Sequence, residues 1–161
     1  MTDFKNKAAR FLASGFYISH IPAALNGFKK FTGSGLFGTA LGLLLMPLLP
    51  EENRYFLLFL TLFFFFAVWV AGLAEASYGV HDDPRIVIDE ILGYWVAIAF
   101  LDKTIFNLAA AFVLFRILDT VKPWPIKKID QTAGGGFGII IDDILAGVAA
   151  NLFVRFLNLA L

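Results

Sequence analysis

The chain has 161 residues, enough for one compact domain over residues 1–161, and 59% of them are apolar, above the roughly 45–50% that is typical of soluble globular proteins. Thirteen basic and thirteen acidic residues cancel, so no overall positive charge favours nucleic acid as a partner. The sequence contains no cysteine, which excludes disulfide bonds, thiolate nucleophiles and cysteine-ligated zinc. The composition predicts a domain that uses the lipid bilayer as its solvent.

The N-terminal segment is basic and only briefly apolar. Its apolar stretch, residues 11–18, is short and interrupted by serine and glycine, so we do not expect a cleaved signal peptide. We expect instead an amphipathic helix over residues 7–19 at the membrane interface, with Lys5, Lys7 and Arg10 facing anionic headgroups.

Five apolar stretches follow, at residues 36–49, 55–74, 86–101, 105–118 and 139–161. A helix needs about 20 residues to cross a hydrocarbon core of about 30 Å, so only the second and fifth stretches are comfortably long. Between the fourth and fifth lies DTVKPWPIKKIDQTAGGG, where two prolines forbid a continuous helix and three glycines release the backbone before the last span. We therefore predict an all-α, compact membrane bundle of about five membrane-embedded helices, plus the N-terminal amphipathic helix.

Basic residues are distributed unevenly about these stretches. If all five cross the membrane, the N-terminal segment, the loop near residues 75–90 and the segment 116–136 share one side. That side carries most of the basic residues, namely Lys5, Lys7, Arg10, Lys29, Lys30, Arg85, Arg116, Lys122, Lys127 and Lys128, whereas the opposite side carries Arg54, Lys103 and Arg155. Because basic residues are enriched in cytoplasmic segments, the pattern predicts that the first side is cytoplasmic.

Two acidic pairs lie inside otherwise apolar helical sequence. Asp89 and Glu90 occur in RIVIDEILGYWVA, and Asp142 and Asp143 occur in GIIIDDILAGVAA. A carboxylate at the bilayer centre costs about 2.5–3.5 kcal/mol on insertion scales, so a pair within a span usually marks a functional pocket. Each pair lies about one turn inside the predicted cytoplasmic end of its helix.

A third element, FRILDTVKPWPIKK, carries charges at helical spacing. Arg116 and Asp119 are three residues apart on one helical face, and Lys122 follows about one turn later, before Pro123 ends the helix. Clustered carboxylates repel one another unless a cation neutralises them, and oxygen ligands favour Mg²⁺ or Mn²⁺, which also bind phosphate oxygens. The three elements together favour a metal site for a phosphate-bearing lipid, with Arg116 and Lys122 holding the phosphate.

Other interpretations use the same residues. The acidic pairs could form purely structural ion pairs with Arg116 or Lys122, and a transporter could use intramembrane carboxylates for proton relay or ion conduction. His81 could act as an acid, a base or a ligand, although a single loop histidine is more often solvated. The segment TGSGLFGTALG, residues 32–42, is either an anion-binding helix entry or a closely packed one, and it lacks the Gly-Lys-Ser/Thr of a P-loop.

The three motifs VHDDPRIVIDEILGYW, FRILDTVKPWPIKKID and GGGFGIIIDDILAG together resemble the bacterial phosphatidylglycerophosphatase A family over roughly residues 30–150. The resemblance implies an all-helical fold around a central helix. It also implies a Mg²⁺-dependent phosphatase that removes the terminal phosphate of phosphatidylglycerophosphate and leaves phosphatidylglycerol. The resemblance implies a multi-pass protein of the bacterial inner membrane, with its active face towards the cytoplasm.

The resemblance also assigns roles to particular residues. The implied catalytic residues are Asp89, Glu90, Asp119, Asp142 and Asp143, and the implied metal ligands are Asp89, Glu90, Asp142 and Asp143. The family's N-terminal segment commonly carries Pro-Gly-Thr, where this chain has Phe37, Gly38 and Thr39. The implied phosphate-binding residues are Arg116, Lys122, Gly38 and Thr39. The expected chemistry is attack by water that a carboxylate orients, and the alternative is attack by an aspartate to give an acyl phosphate.

Overall fold

The structure, a computed structural model, describes residues 2–25 and 33–160. Its helices are α1 (Thr2–Ala13), α2 (His20–Leu25), α3 (Ser34–Leu45), α4 (Asn53–Tyr78), α5 (Ile88–Ala97), α6 (Ile105–Val121), α7 (Ile126–Thr132) and α8 (Gly135–Ala160), with a 3-10 turn at Met46–Leu48. The described residues contain no strand, which confirms the predicted all-α class. Lys29, Lys30 and Thr32, which the sequence analysis used, lie outside the described residues.

Among the described residues, two helices are long and apolar enough to cross a membrane. Helices α4 and α8 have 26 residues each, so each is about 39 Å long, against a hydrocarbon core of about 30 Å. Helix α4 contains the second apolar stretch and α8 contains residues 139–160 of the fifth, as predicted. The other stretches form shorter helices, with 12 residues in α3, 10 in α5 and 17 in α6.

The N-terminal helix differs from its prediction in both position and contacts. Helix α1 begins at Thr2 and ends at Ala13, because Ser14 accepts a hydrogen bond from the Tyr17 N–H and the chain turns through positive φ angles. Arg10, which we expected to face headgroups, also makes contacts within the protein. Its Nε donates to Ser77 Oγ at 2.7 Å, so this side chain ties α1 to the end of α4.

The start of the last helix also differs from its prediction. Helix α8 begins at Gly135, inside the glycine run that we expected to precede it. A Cβ on Gly136 would lie 3.0 Å from Gly72 Cα and would also collide with the Val68 carbonyl oxygen. The glycine therefore serves a close approach between α4 and α8, which small residues permit. The short helix α7 before it was not predicted.

Helix α5 lies at the centre of the bundle. Eight of its ten residues are buried, and it packs against α3, α4, α6 and α8. At its C-terminal end, the Asn151 amide on α8 donates to the carbonyls of Ala97 and Ala99 at 2.9 Å each. This contact fixes α5 against α8 at one end of the bundle. At the other end, the starts of α3, α5 and α8 meet the ends of α4 and α6.

Candidate active site

A cavity of about 520 Å³ opens at the end of the bundle where these five helix ends meet. Seven of the nine residues predicted for the site line this cavity: Asp89, Glu90, Arg116, Asp119, Lys122, Asp142 and Asp143. They come from α5, α8 and the region where α6 ends. The fold therefore brings together three motifs that lie far apart in the sequence.

Three carboxylates form the centre of this site, and we call them the carboxylate triad: Asp89, Glu90 and Asp143. Each offers one oxygen, and the three oxygens lie within 4.8 Å of one another. Asp89 and Asp143 are only 8% and 3% exposed. The triad is thus a compact group of oxygen donors beneath the surface of the bundle.

Two glycines allow the helices that carry the triad to approach closely. A Cβ on Gly93 of α5 would lie 2.9 Å from the Asp143 carbonyl oxygen and 2.6 Å from the Phe115 ring. A Cβ on Gly147 of α8 would collide with the Gly93 carbonyl. Since any larger residue would push α5 and α8 apart, these glycines set the spacing between Asp89 and Asp143.

Each triad residue has one buried oxygen to which none of the described residues donates a hydrogen bond. These atoms are Asp89 Oδ1, Glu90 Oε2 and Asp143 Oδ2. Two unit charges about 4 Å apart repel by about 4 kcal/mol at an effective dielectric constant of 20, and a buried charge without a partner costs more. The triad therefore needs protons or a cation, and carboxylate oxygens are the ligands that Mg²⁺ prefers.

Two basic side chains face the carboxylates from the end of α6. Arg116 Nη1 lies 2.7 Å from Asp119 Oδ2 and 4.0 Å from Glu90 Oε1. Lys122 Nζ forms an ion pair with Asp142 Oδ2. Asp142 therefore differs from its neighbour Asp143 in pairing with this lysine, although Asp142 Oδ1 is also a buried oxygen to which none of the described residues donates a hydrogen bond. Positive and negative groups lie side by side in the cavity, an arrangement that suits a phosphate bound beside a metal ion.

The remaining two predicted site residues lie behind the cavity wall. Thr39 is fully buried; its hydroxyl donates to the Gly35 carbonyl at 2.9 Å and accepts from Arg116 Nη1 at 3.4 Å. A Cβ on Gly38 would lie 2.8 Å from Val87 Cβ, so Gly38 permits contact between α3 and the start of α5. A direct phosphate contact by either residue stays a prediction.

Sequence reasoning missed Gly35, which lines the cavity at the start of α3. A Cβ there would lie 2.8 Å from both terminal nitrogens of Arg116 and would collide with Glu90 Oε1. The glycine-rich segment signalled a close helix contact, but its pattern does not say which glycine faces the site.

Sequence reasoning also missed the role of the loop between α4 and α5. Asp83 is 4% exposed, and Arg85 Nε and Nη2 donate to its two carboxylate oxygens at 2.7 and 2.6 Å. Burial opposes ionisation of Asp83, but the hydrogen bonds from Arg85 outweigh it and lower its pKa below the ordinary 3.8. In the same loop, His81 pairs with Glu75 at 2.5 Å and is largely exposed; it does not line the cavity.

The fold and the cavity define a class of protein: an apolar helical bundle with a buried acidic and basic site at one end. The chain belongs to the phosphatidylglycerophosphatase A family, whose model matches residues 11–158. The match extends beyond the expected residues 30–150 in both directions.

Curated relatives agree with this membership. A Haemophilus influenzae protein named phosphatidylglycerophosphatase A is 39% identical over 124 residues, which cover 76% of this chain and 75% of the relative. An Escherichia coli protein of the same name is 42% identical over 92 residues, 56% of this chain and 54% of the relative. A Bacteroides thetaiotaomicron protein, provisionally named a phosphatidylinositol-3-phosphatase, is 34% identical over 137 residues, 80% of this chain and 85% of the relative. No solved structure matches the chain.

Proposed function

We propose that this protein is a lipid phosphatase that hydrolyses phosphatidylglycerophosphate to phosphatidylglycerol and inorganic phosphate. One observation carries the proposal: the carboxylate triad shares a cavity with Arg116 and Lys122 in a chain of this family. A volume of about 520 Å³ falls within the range of small-molecule sites, about 300–1,000 Å³. The names of the two phosphatidylglycerophosphatase A relatives support this lipid as the substrate.

We infer that the triad holds Mg²⁺. Three carboxylates that each offer one oxygen within 4.8 Å of the others fit a divalent cation with oxygen ligands. Each also has a buried oxygen that receives no hydrogen bond from the described residues. Of the four metal ligands that the resemblance implies, Asp142 is the one in an ion pair with a lysine, so we assign it to the binding of Lys122 instead. When bound, Mg²⁺ supplies positive charge that polarises a phosphoryl oxygen.

The remaining residues hold the phosphate and move protons. Arg116 and Lys122 bind phosphate oxygens, and Asp119 orients Arg116 through its 2.7 Å ion pair. Thr39 supports Arg116 from behind. In hydrolysis a water oxygen bonds to phosphorus, the bond from phosphorus to the glycerol oxygen breaks, and the glycerol oxygen gains a proton. A cavity carboxylate accepts the proton that the water loses.

A carboxylate could instead attack phosphorus directly and form an acyl phosphate. Acid quenching during turnover, followed by mass spectrometry of the protein, separates the two routes. We expect no phosphorylated aspartate or glutamate. An adduct that forms and decays at the rate of turnover would contradict attack by water.

We place the protein in the bacterial inner membrane as a multi-pass protein, with the cavity towards the cytoplasm. Helices α4 and α8 span the bilayer, the shorter α3, α5 and α6 are embedded beside them, and α1 lies at the interface. The basic residues around the cavity support this orientation, since such residues concentrate on the cytoplasmic side. Because the chain has no cysteine, single-cysteine variants can test it. Lys103→Cys in intact cells should react with an impermeant maleimide, and Lys128→Cys should not.

The test of activity is phosphate release from phosphatidylglycerophosphate by purified protein in detergent, with and without EDTA. We expect EDTA to abolish release and Mg²⁺ to restore it. Asp89→Asn and Asp143→Asn should each lower kcat by about 100-fold or more, since metal ions supply several kcal/mol of charge stabilisation. Asp3→Asn is the control, because Asp3 is an exposed acid on α1.

Undiminished release in EDTA, or in both triad variants, would contradict the metal site. A folded wild-type protein that releases no phosphate but carries ions across liposomes would instead support the transporter interpretation.

A further inference from the structure

Three cationic side chains line the cavity, and they differ in their partners. Arg116 pairs with Asp119 at 2.7 Å, and Lys122 pairs with Asp142. Lys127 also lines the cavity, yet no carboxylate among the described side chains lies within ion-pair distance of it. Lys127 therefore differs from Arg116 and Lys122, which are both paired with carboxylates of the cavity.

The packing of helix α7 determines the position of Lys127. The neighbouring Ile126 is 4% exposed and belongs to the hydrophobic core, and α7 packs against α8. Lys127 itself is exposed, whereas Asp143 of the triad is 3% exposed. Lys127 thus lies at the solvent side of the cavity, and the triad lies at its buried side.

The proposed substrate carries two phosphates with different positions along its headgroup. The terminal phosphate is a monoester, and a glycerol unit separates it from the phosphodiester that joins the headgroup to diacylglycerol. If the monoester reaches the triad and Arg116, the phosphodiester lies one glycerol unit closer to the opening. The cavity has room for more than one phosphate, at about 520 Å³.

We propose that Lys127 binds the phosphodiester of the lipid substrate and forms a second phosphate site that selects headgroups with two phosphates. This inference rests on the proposed function and adds a specificity residue to it. Lys127 contacts a group that does not change during the reaction, so it strengthens substrate binding and leaves the chemical step unaltered. An ionised donor on an anion contributes enough to change affinity by about tenfold.

The test compares Lys127→Gln with Lys128→Gln, a neighbouring exposed lysine that does not line the cavity. In neutral detergent micelles, Lys127→Gln should raise KM for phosphatidylglycerophosphate about tenfold and leave kcat within about twofold. Inhibition separates the two phosphate sites. The inhibition constant of phosphatidylglycerol, which has only the diester, should rise about tenfold, while that of inorganic phosphate should stay within about twofold. Lys127→Arg should restore both constants, and Lys128→Gln should change neither.

The failures are distinguishable. If wild-type protein releases no phosphate, the proposed function fails. Suppose that wild-type protein is active but Lys127→Gln leaves KM unchanged, or raises the inhibition constant of inorganic phosphate as much as that of phosphatidylglycerol. The second phosphate site is then overturned, while the proposed function stands. An equal change in Lys128→Gln would assign the effect to general attraction by the charged surface and would also overturn it.

Discussion

Two groups of acids line the same cavity and have opposite surroundings. Asp83, in the loop before α5, is nearly fully buried and accepts hydrogen bonds from Arg85 on both carboxylate oxygens. In the triad, Asp89 and Asp143 are equally buried, but each has an oxygen that receives no hydrogen bond from the described residues. Burial alone therefore does not separate these two groups of acids; what separates them is whether each buried carboxylate oxygen receives a hydrogen bond.

The difference also assigns separate tasks to the two groups. The Asp83–Arg85 pair contributes to holding the loop, since the Arg85 guanidinium also lies 3.8 Å from the centre of the Tyr78 ring. The triad carboxylates repel one another unless protons or a cation neutralise them, so they provide a site for a cation. Substitutions in the two groups should accordingly change different quantities: activity for the triad, and stability for the pair.

The largest effect that sharpens this comparison is expected from Gly35→Ala. The added methyl group would collide with Glu90 and lie 2.8 Å from the Arg116 nitrogens. A displacement of about 1 Å in a reacting group can lower rates about 100-fold, so we expect kcat/KM to fall by about that factor. Gly134→Ala is the matched control, because a Cβ there meets nothing within 4 Å. Equal activity in the two variants would show that the position of Glu90 and Arg116 is not critical.

A smaller effect, on stability, is expected from Asp83→Asn. Hydrogen bonds to charged groups contribute about 1.5–3 kcal/mol each, so the variant should lose about 2 kcal/mol of unfolding free energy, measured by thermal unfolding in detergent. At low temperature it should keep kcat within about threefold, because Asp83 is not a triad residue. A loss of activity as large as that of Asp143→Asn, with unchanged stability, would break the comparison.

The same pair predicts how acid affects stability. Because the pKa of Asp83 is lowered from 3.8 in the folded protein, its ion pair stabilises the fold above that pH, and the stabilisation is lost as pH falls through the folded pKa. The difference in unfolding temperature between wild type and Asp83→Asn should be constant above about pH 5 and shrink below about pH 4. If the difference in unfolding temperature stayed constant down to the lowest pH, ionisation of Asp83 would not be its cause.

The smallest effect is expected at Tyr78. The guanidinium groups of Arg10 and Arg85 lie 5.0 and 3.8 Å from the centre of its ring. Each such contact contributes about 0.5–1 kcal/mol when partly exposed, so Tyr78→Leu should lower stability by about 1 kcal/mol. Tyr78→Phe keeps the ring and should lose less. If both variants unfold at the wild-type temperature, these contacts do not hold α1 against the loop.

Part of this architecture is predictable from the sequence. Long apolar runs predict α4 and α8, because within the described part of the chain these are the two helices with enough apolar residues to cross a bilayer. The acidic pairs Asp89–Glu90 and Asp142–Asp143 are conspicuous for the opposite reason, since ionised groups are costly in apolar helices. Helical spacing also predicts the pairing of Arg116 with Asp119, which the structure contains at 2.7 Å.

Other features depend on contacts that no local pattern contains. Asp142 and Asp143 are adjacent in sequence, yet their side chains leave the helix about 100° apart; Asp142 pairs with Lys122, whereas Asp143 belongs to the triad. Gly35 cannot be replaced without a close contact because Glu90 and Arg116, from two other helices, lie where its Cβ would be. From the sequence, Arg10 is predicted to be a surface residue of an amphipathic helix, whereas the fold brings Ser77 within hydrogen-bond distance of it. In each case the deciding neighbour is distant in the chain.

The central claim is that the triad, and not the Asp83–Arg85 pair, holds a divalent cation. Mn²⁺ binding by purified protein in detergent, measured by electron paramagnetic resonance with Mg²⁺ as competitor, tests it most directly. We predict that wild type and Asp83→Asn bind Mn²⁺ with similar affinity, that Mg²⁺ displaces it, and that Asp143→Asn binds it at least about tenfold more weakly. Equal binding by wild type and Asp143→Asn, or loss of binding in Asp83→Asn alone, would contradict the account.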